Sequence, residues 1–298
     1  LENNKVGTVF ALHISVRKQK RKHILKGESS MNKKLIKAAV IGALFSVAPL
    51  SFAADEVEDI KAPSMLDEFS FSANVGLYSD YVFRGYTQTQ NEPAIQGGFD
   101  VEHSSGLYVG TWASNVDWTT AGDYMDKNSV EIDVYGGWAT ELPFGGIGFD
   151  IGVLQFYYPG DKTAGAVDTD ATEIYVGLSK DFLDGKFSAS LTNYVVVSDE
   201  AWGFEDMDGE TYTDLTVDVP IGSTPLTVSG HVGYQTFGGT DGSKYDYTDW
   251  KVNADYAFND NFSAGAFYTD TDQDKDRWTV GSTFLGDSVF GGYLSAGF

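Results

Sequence analysis

From Phe69 onward the apolar residues fall on every second position. Phe69, Phe71, Ala73, Val75, Leu77, Tyr81 and Phe83 share one face, while Ser70, Ser72, Asn74, Gly76, Tyr78, Asp80 and Arg84 share the other. A period of two with one apolar face is the signature of a β-strand. The run predicts a first strand of about fifteen residues, long against the five or six usual in globular proteins.

The alternation recurs over 95–102, 107–113, 130–138, 147–153, 173–179, 187–192, 214–219, 226–235, 250–258, 262–269 and 277–284, which brings the expected total to twelve strands. An alternative closing strand is available at 289–298. The connections alternate in length: turns such as 103–106, 181–185 and 259–261 are short, whereas 85–93, 116–128, 159–170, 198–210, 237–246 and 270–276 are longer. Short periplasmic turns and long outer loops belong to an outer-membrane barrel. The expected fold class is therefore all-β, a transmembrane antiparallel β-barrel of about 12 strands. Its apolar face would meet lipid and its polar face a lumen. Tyr81, Phe83, Trp138, Tyr157, Trp250, Phe258, Tyr268 and Trp278, near strand ends, suit interfacial girdles. A secreted soluble β-sandwich or lipocalin-like barrel, with the apolar face inward, is the alternative.

The start of the chain reads differently. Met31 to Lys37 is a short basic stretch, Ala38 to Leu50 is apolar, and Ser51-Phe52-Ala53 ends on small residues. This is the layout of a secretory signal peptide cleaved after Ala53. Residues 1–30 precede it and are expected to be upstream sequence rather than part of the working protein. The expected organisation is thus 1–30 upstream, 31–53 signal peptide, 54–68 an N-terminal periplasmic segment and 69–298 the barrel. No stretch reaches the roughly 18 consecutive apolar residues of a spanning helix.

Charge divides the chain in the same place. Of 298 residues, 20 are Lys or Arg and 43 Asp or Glu, and residues 1–53 hold ten of the basic groups but only Glu2 and Glu28 of the acids. The remainder is strongly acidic, which argues against a nucleic-acid partner, since phosphate contacts need a basic face. The absence of cysteine excludes disulfides, thiolate catalysis and Cys-ligated metals.

Between Ser72 and Asp117 lie Ser79-Asp80-Tyr81-Val82-Phe83-Arg84-Gly85 and Gly110-Thr111-Trp112-Ala113-Ser114-Asn115-Val116-Asp117. In these segments Phe71–Trp118 resembles the start of the TorF family of proteobacterial porins. The resemblance implies an outer-membrane barrel with a pore role. It supplies no substrate and no functional residues.

Candidate pore-lining residues come from the polar faces: Asp80, Arg84, Asp100, Glu131, Asp133, Asp150, Glu173, Asp214 and Asp255. Glu102 and Asp218 join them, with Lys251 and Arg277 as the other bases, so ten acids face three bases. Acidic linings favour cations. Arg84 is expected either to touch solute at a constriction or to form an ion pair with Asp80 or Asp117. Asp270-Thr-Asp272-Gln-Asp274-Lys-Asp276 suggests calcium but lacks the glycine and glutamate of an EF-hand loop, so a solvated acidic loop is the plainer expectation. After the leader the histidines are His103 and His231, and neither position suggests a base beside a nucleophile. The expectation is a non-enzymatic porin-type channel for small hydrophilic solutes, cation-preferring and without cofactor. Its partners would be outer-membrane lipid and lipopolysaccharide. A non-conducting adhesin or scaffold barrel is the other reading.

Overall fold

The computed structural model describes residues 68–298. The upstream sequence, the signal peptide with its cleavage after Ala53, and residues 54–67 lie outside the described residues. In chain order the elements are β1 (Phe69–Tyr78), β2 (Val82–Phe83), β3 (Tyr86–Thr87), β4 (Ala94–His103), β5 (Leu107–Asn115), α1 (Trp118–Ala121), β6 (Met125–Lys127), β7 (Val130–Glu141), β8 (Ile147–Tyr157) and β9 (Asp161–Lys162). Then follow β10 (Ala171–Phe182), β11 (Phe187–Val196), β12 (Thr211–Pro220), β13 (Leu226–Gln235), β14 (Tyr247–Ala257), β15 (Phe262–Thr271), β16 (Thr279–Val280), β17 (Thr283–Phe284) and β18 (Val289–Gly297).

Twelve of these strands form a closed antiparallel barrel, each paired with its neighbour in the order β1-β18-β15-β14-β13-β12-β11-β10-β8-β7-β5-β4. Closure removes the sheet edges, and with them the unpaired backbone groups that lipid could not satisfy. The seam joins β1 to β18, with Tyr78 opposite Tyr293 and Asn74 opposite Gly297. Phe298 extends it by exchanging backbone hydrogen bonds with Ala73, at 2.9 and 3.1 Å. Both ends of the barrel chain therefore lie at the short-turn rim.

The apolar faces point outward. Val75, Ile151, Val176, Leu191, Leu215 and Val252 are exposed, while Asp133, Asp150 and Asp255, on the alternate positions, are buried. A soluble sandwich or lipocalin-like barrel would have the reverse facing. Trp138, Tyr157, Trp250, Phe258 and Tyr268 are likewise on the outside.

Three expectations are corrected. The first strand stops at Tyr78, where its pairing with β4 ends at Ala94; beyond it the chain turns into the barrel, so Tyr81 and Phe83 are buried rather than lipid-facing. Residues 277–284 are not the closing strand. Thr279–Val280 and Thr283–Phe284 make a small outer hairpin, and Trp278 is buried rather than part of a girdle. The closing strand is β18, because only that segment pairs with both β15 and β1. Arg277 does not face the lumen; its guanidinium meets Asp274 at 2.7 Å within the same outer loop.

Inside the wall, aromatic rings lie across glycines. Gly110 faces Tyr135, Gly137 faces Tyr108, Gly152 faces Tyr175, Gly265 faces Tyr293 and Gly291 faces Phe267 on adjacent strands. A Cβ on any of these five glycines would run into the facing ring. The missing side chain leaves each ring room to lie along the wall, and several tyrosine hydroxyls then reach an acid on another strand.

Candidate functional site

The most distinctive sequence motif forms a hairpin that enters the barrel. Asp80 Oδ1 accepts hydrogen bonds from the Thr87 and Thr89 hydroxyls at 2.6 and 2.9 Å, which closes the base of the loop. Tyr81 N donates to Thr89 Oγ1 and Tyr81 O accepts from Gln88 N. Val82 pairs with Thr87 and Phe83 with Tyr86, leaving Arg84-Gly85 as the tip. Both tip residues have positive φ, 45° and 87°, as a two-residue turn matched to strand twist requires. Glycine takes that conformation freely; at Arg84 it costs about 1–2 kcal/mol and persists only because the surroundings fix it.

The tip reaches wall strands other than the two that flank β1. A Cβ on Gly85 would collide with Asp249 of β14 and Thr271 of β15. Arg84 Nη2 meets Glu173 Oε2 of β10 at 2.7 Å, and Nη1 donates to Gln235 Oε1 of β13 at 2.8 Å. The guanidinium carbon sits over the rings of Tyr212, Phe83, Tyr194 and Trp202 at 4.2, 4.7, 5.0 and 5.5 Å. Asp80 and Asp117, the partners expected from sequence, are therefore replaced by Glu173. Every residue from Asp80 to Thr89 is buried. Outer loops hold the hairpin from above: Thr87 N donates to Leu285 O, Asp117 N to Gln88 O, and Thr283 Oγ1 to Gln90 Oε1. Phe83 packs on Phe156 and Trp202, and Tyr86 on Tyr247 and Trp278. The outer half of the bore is thus filled by a loop, not by the wall alone.

Apart from Arg277, the expected lining residues lie inside the barrel, at two depths. Toward the outer rim, Glu131 Oε1 accepts from the Tyr81 hydroxyl at 2.6 Å, Glu173 holds Arg84, and Asp133 is buried with neither carboxylate oxygen hydrogen-bonded among the described residues. Asp214 accepts from Thr216 at 2.7 Å and contacts His231 Nδ1 at 2.6 Å. Toward the short turns, Asp100 is bonded by Tyr135 and Asp150 by Tyr108, which also touches Tyr175. Asp255 takes a hydrogen bond from Asn253. The hairpin thus brings Asp80, Arg84, Glu131 and Glu173 into one assembly, while Asp100, Asp150 and Asp255 stand apart from it. At the outer rim, burial raises the Asp117 and Asp170 carboxyls above their ordinary range, opposed by hydrogen bonds from the Gln90 side chain and the Tyr158 backbone.

Asp249 was not among the expected residues. It is buried on β14, accepts from the Tyr212 hydroxyl at 3.0 Å and lies 3.4 Å from His231 Nε2. Its signal was available, since it continues the polar alternation of Asn253 and Lys251 one residue before the expected strand began. His103 carries an unexpected contact at the short-turn rim: Nδ1 meets Ser105 Oγ at 2.7 Å and Nε2 meets Glu68 at 2.9 Å. Ser105 N also donates to Nδ1, so the ring caps its own turn. In the acidic outer loop, Asp272 and Asp274 accept backbone hydrogen bonds from Thr248, Asp276 and Arg277. Among the described residues no group of three or more His, Asp or Glu side chains converges as a metal set.

The model of a bacterial protein family of unknown function, Gcw_chp, matches residues 64–298. The chain belongs to the Gcw_chp family. The match includes the inward hairpin and all twelve barrel strands. The family's description carries no activity, and the TorF name is not part of it. No curated protein matches the sequence. Among solved structures, this Gcw_chp member is similar to the NanC porin, at 12% identity over 76% of this chain and 98% of that one, with a TM-score of 0.47. An outer-membrane channel from Pseudomonas putida F1 aligns at 10% identity over 82% and 99% of the two chains, also with a TM-score of 0.47. The outer membrane protein Omp33 of Acinetobacter baumannii aligns at 11% identity over 78% and 98%, with a TM-score of 0.38.

Proposed function

We propose that this protein is an outer-membrane channel for small hydrophilic solutes, that it prefers cations, and that the conformation described here is its shut state. One observation carries the reading: the element filling the outer bore is a hairpin, Asp80 to Thr89, whose tip is tied to the far wall by a single arginine. A loop can withdraw, whereas wall side chains that fill a small barrel cannot. Twelve strands also enclose a wider bore than the eight-stranded barrels that side chains fill.

The preference for cations rests on the inward charges. Glu131, Asp133, Glu173, Asp214, Asp249 and Asp255 face inward against Arg84 and Lys251, and Arg84 leaves the bore if the hairpin does. The outward apolar band supports residence in lipid, and the basic-then-apolar sequence at 31–53 supports export. Outer-membrane lipid and lipopolysaccharide would be the surroundings, and no cofactor is required.

A non-conducting barrel is the second reading, favoured by the burial of every residue from Asp80 to Thr89. Planar-bilayer recordings separate the two. A channel should conduct in rare openings as wild type and far more often as Arg84→Ala. Silence in both would leave the scaffold reading.

A further inference from the structure

The guanidinium of Arg84 occupies a cage that belongs to the wall. Of the groups that hydrogen-bond it or stack on it, Phe83 is the one from the hairpin. Glu173, Gln235, Tyr194 and Tyr212 stand on β10, β13, β11 and β12, and Trp202 on the outer loop between β11 and β12. If the hairpin withdraws, what stays behind is a carboxylate and an amide oxygen flanked by three aromatic faces. Acceptors in the plane of a fork and rings above it recognise a flat, delocalised cation with several N–H donors.

The carboxylate is also under-used. Glu173 is fully buried, and its second oxygen, Oε1, has no hydrogen-bond partner among the described residues. Nor has either oxygen of the nearby buried Asp133. A buried ionised carboxylate without its full set of donors is costly. A cation entering from solution can present a second donor to Glu173 that Arg84, held at the tip of a two-residue turn, does not.

We propose that this cage is a binding site for solutes bearing an alkylguanidinium group, and that Arg84 is a resident stand-in which such a solute displaces. The proposal rests on the channel reading above and gives it a solute class. Displacement exchanges like for like: one guanidinium leaves Glu173 and Gln235 as another arrives. The barrier to loading is then competition from a tethered ligand, whose effective concentration on a short linker is in the mM range. The wild-type barrel should therefore respond only to solute at about that concentration, and removal of Arg84 should expose the cage.

The test uses the full chain folded in detergent micelles, titrated calorimetrically with ethylguanidinium, and with propionamide as a neutral molecule of similar size. Arg84→Ala should bind ethylguanidinium about tenfold or more tightly than wild type, and the double variant Arg84→Ala/Glu173→Gln should lose that gain. Arg84→Gln, which keeps a polar tip, should repeat the result and guards against a folding failure of the first variant. Propionamide should bind none of them measurably better than wild type. If Arg84→Ala and Arg84→Gln take up ethylguanidinium no better than wild type, or no better than propionamide, the cage is not a solute site. Bilayer recordings on the same variants separate the two claims. Conductance without any effect of ethylguanidinium overturns the cage and keeps the channel, whereas ethylguanidinium binding without conductance keeps the cage and overturns the channel.

Discussion

Arg84 and Glu173, 89 residues apart in sequence, meet at 2.7 Å across the bore with both side chains nearly inaccessible, 3% and 0% exposed. This pair joins the tip of a loop that starts at β1 to a strand on the far side of the barrel. It is the charged link between hairpin and wall, and the surrounding rings shield it from screening by water.

Breaking the pair from the wall side should be costly. Glu173→Ala leaves the Arg84 charge buried with a single amide acceptor, and loss of one partner from a buried pair destabilises by about 3–5 kcal/mol. Urea unfolding in lipid vesicles measures it. The double replacement Arg84→Met/Glu173→Leu should recover most of the loss, because no unpaired charge is left behind. A loss below about 1 kcal/mol for Glu173→Ala would mean that water reaches the pair.

The hairpin illustrates how far the sequence could be read. Facing was legible along most strands, because lipid and lumen impose opposite polarity on alternate residues. Val252 and Asp255, or Ile151 and Asp150, differ for that reason. The same rule misled at Tyr81 and Phe83. They keep the alternation of β1 although they pack against Trp112 and Phe156 inside the barrel. An apolar residue buried under a loop and one facing lipid look alike in a pattern of period two. The break lies in local chemistry: the Asp80 carboxylate positioned to take the Thr87 and Thr89 hydroxyls, and Gly85 at a left-handed position. Trp278 misled in the same way, packing into the aromatic cluster over the outer mouth. The partner of Arg84 was beyond reach, since nothing within β10 distinguishes Glu173 from the other inward acids.

The outward faces should be sensitive to charge by depth. Val176→Arg, in the middle of β10, should cost about 2–4 kcal/mol in bilayers, and Leu183→Arg, in the short turn that follows, about 0–1 kcal/mol. Equilibrium unfolding from vesicles of defined thickness reads the difference. Equal costs would place Val176 in water.

The glycines beneath the rings should tolerate little. In Gly152→Ala the new methyl would meet the Tyr175 ring and the backbone of Gly136. Overpacking of this kind costs typically 1–3 kcal/mol. Gly233→Ala would press on Tyr212, one wall of the Arg84 cage. It should therefore raise the opening frequency in bilayers as well as lower stability, whereas Gly152→Ala should affect stability alone. If neither residue affects stability, the ring-over-glycine contacts do not hold the wall.

Selectivity should follow the inward charges once the hairpin is released. In Arg84→Ala the remaining wall carries Glu131, Asp133, Glu173, Asp214 and Asp249 in the outer half, with Lys251 opposing them. Fixed charge acts over about a Debye length, near 10 Å at 0.1 M salt and about 3 Å at 1 M. Reversal potentials under a salt gradient should therefore show cation preference at low salt that weakens as salt rises. Asp133→Asn should reduce the preference more than Asp100→Asn, because Asp133 stands beside the hairpin and meets water once the hairpin withdraws, while Asp100 lies toward the short turns and stays bonded by Tyr135. Lys251→Gln should increase it, since Lys251 Nζ, now 4.4 Å from the Phe267 ring, is the nearest inward cation left. A pore that prefers anions, or whose reversal potential ignores Asp133 and Lys251 alike, would mean that ions do not pass along this wall.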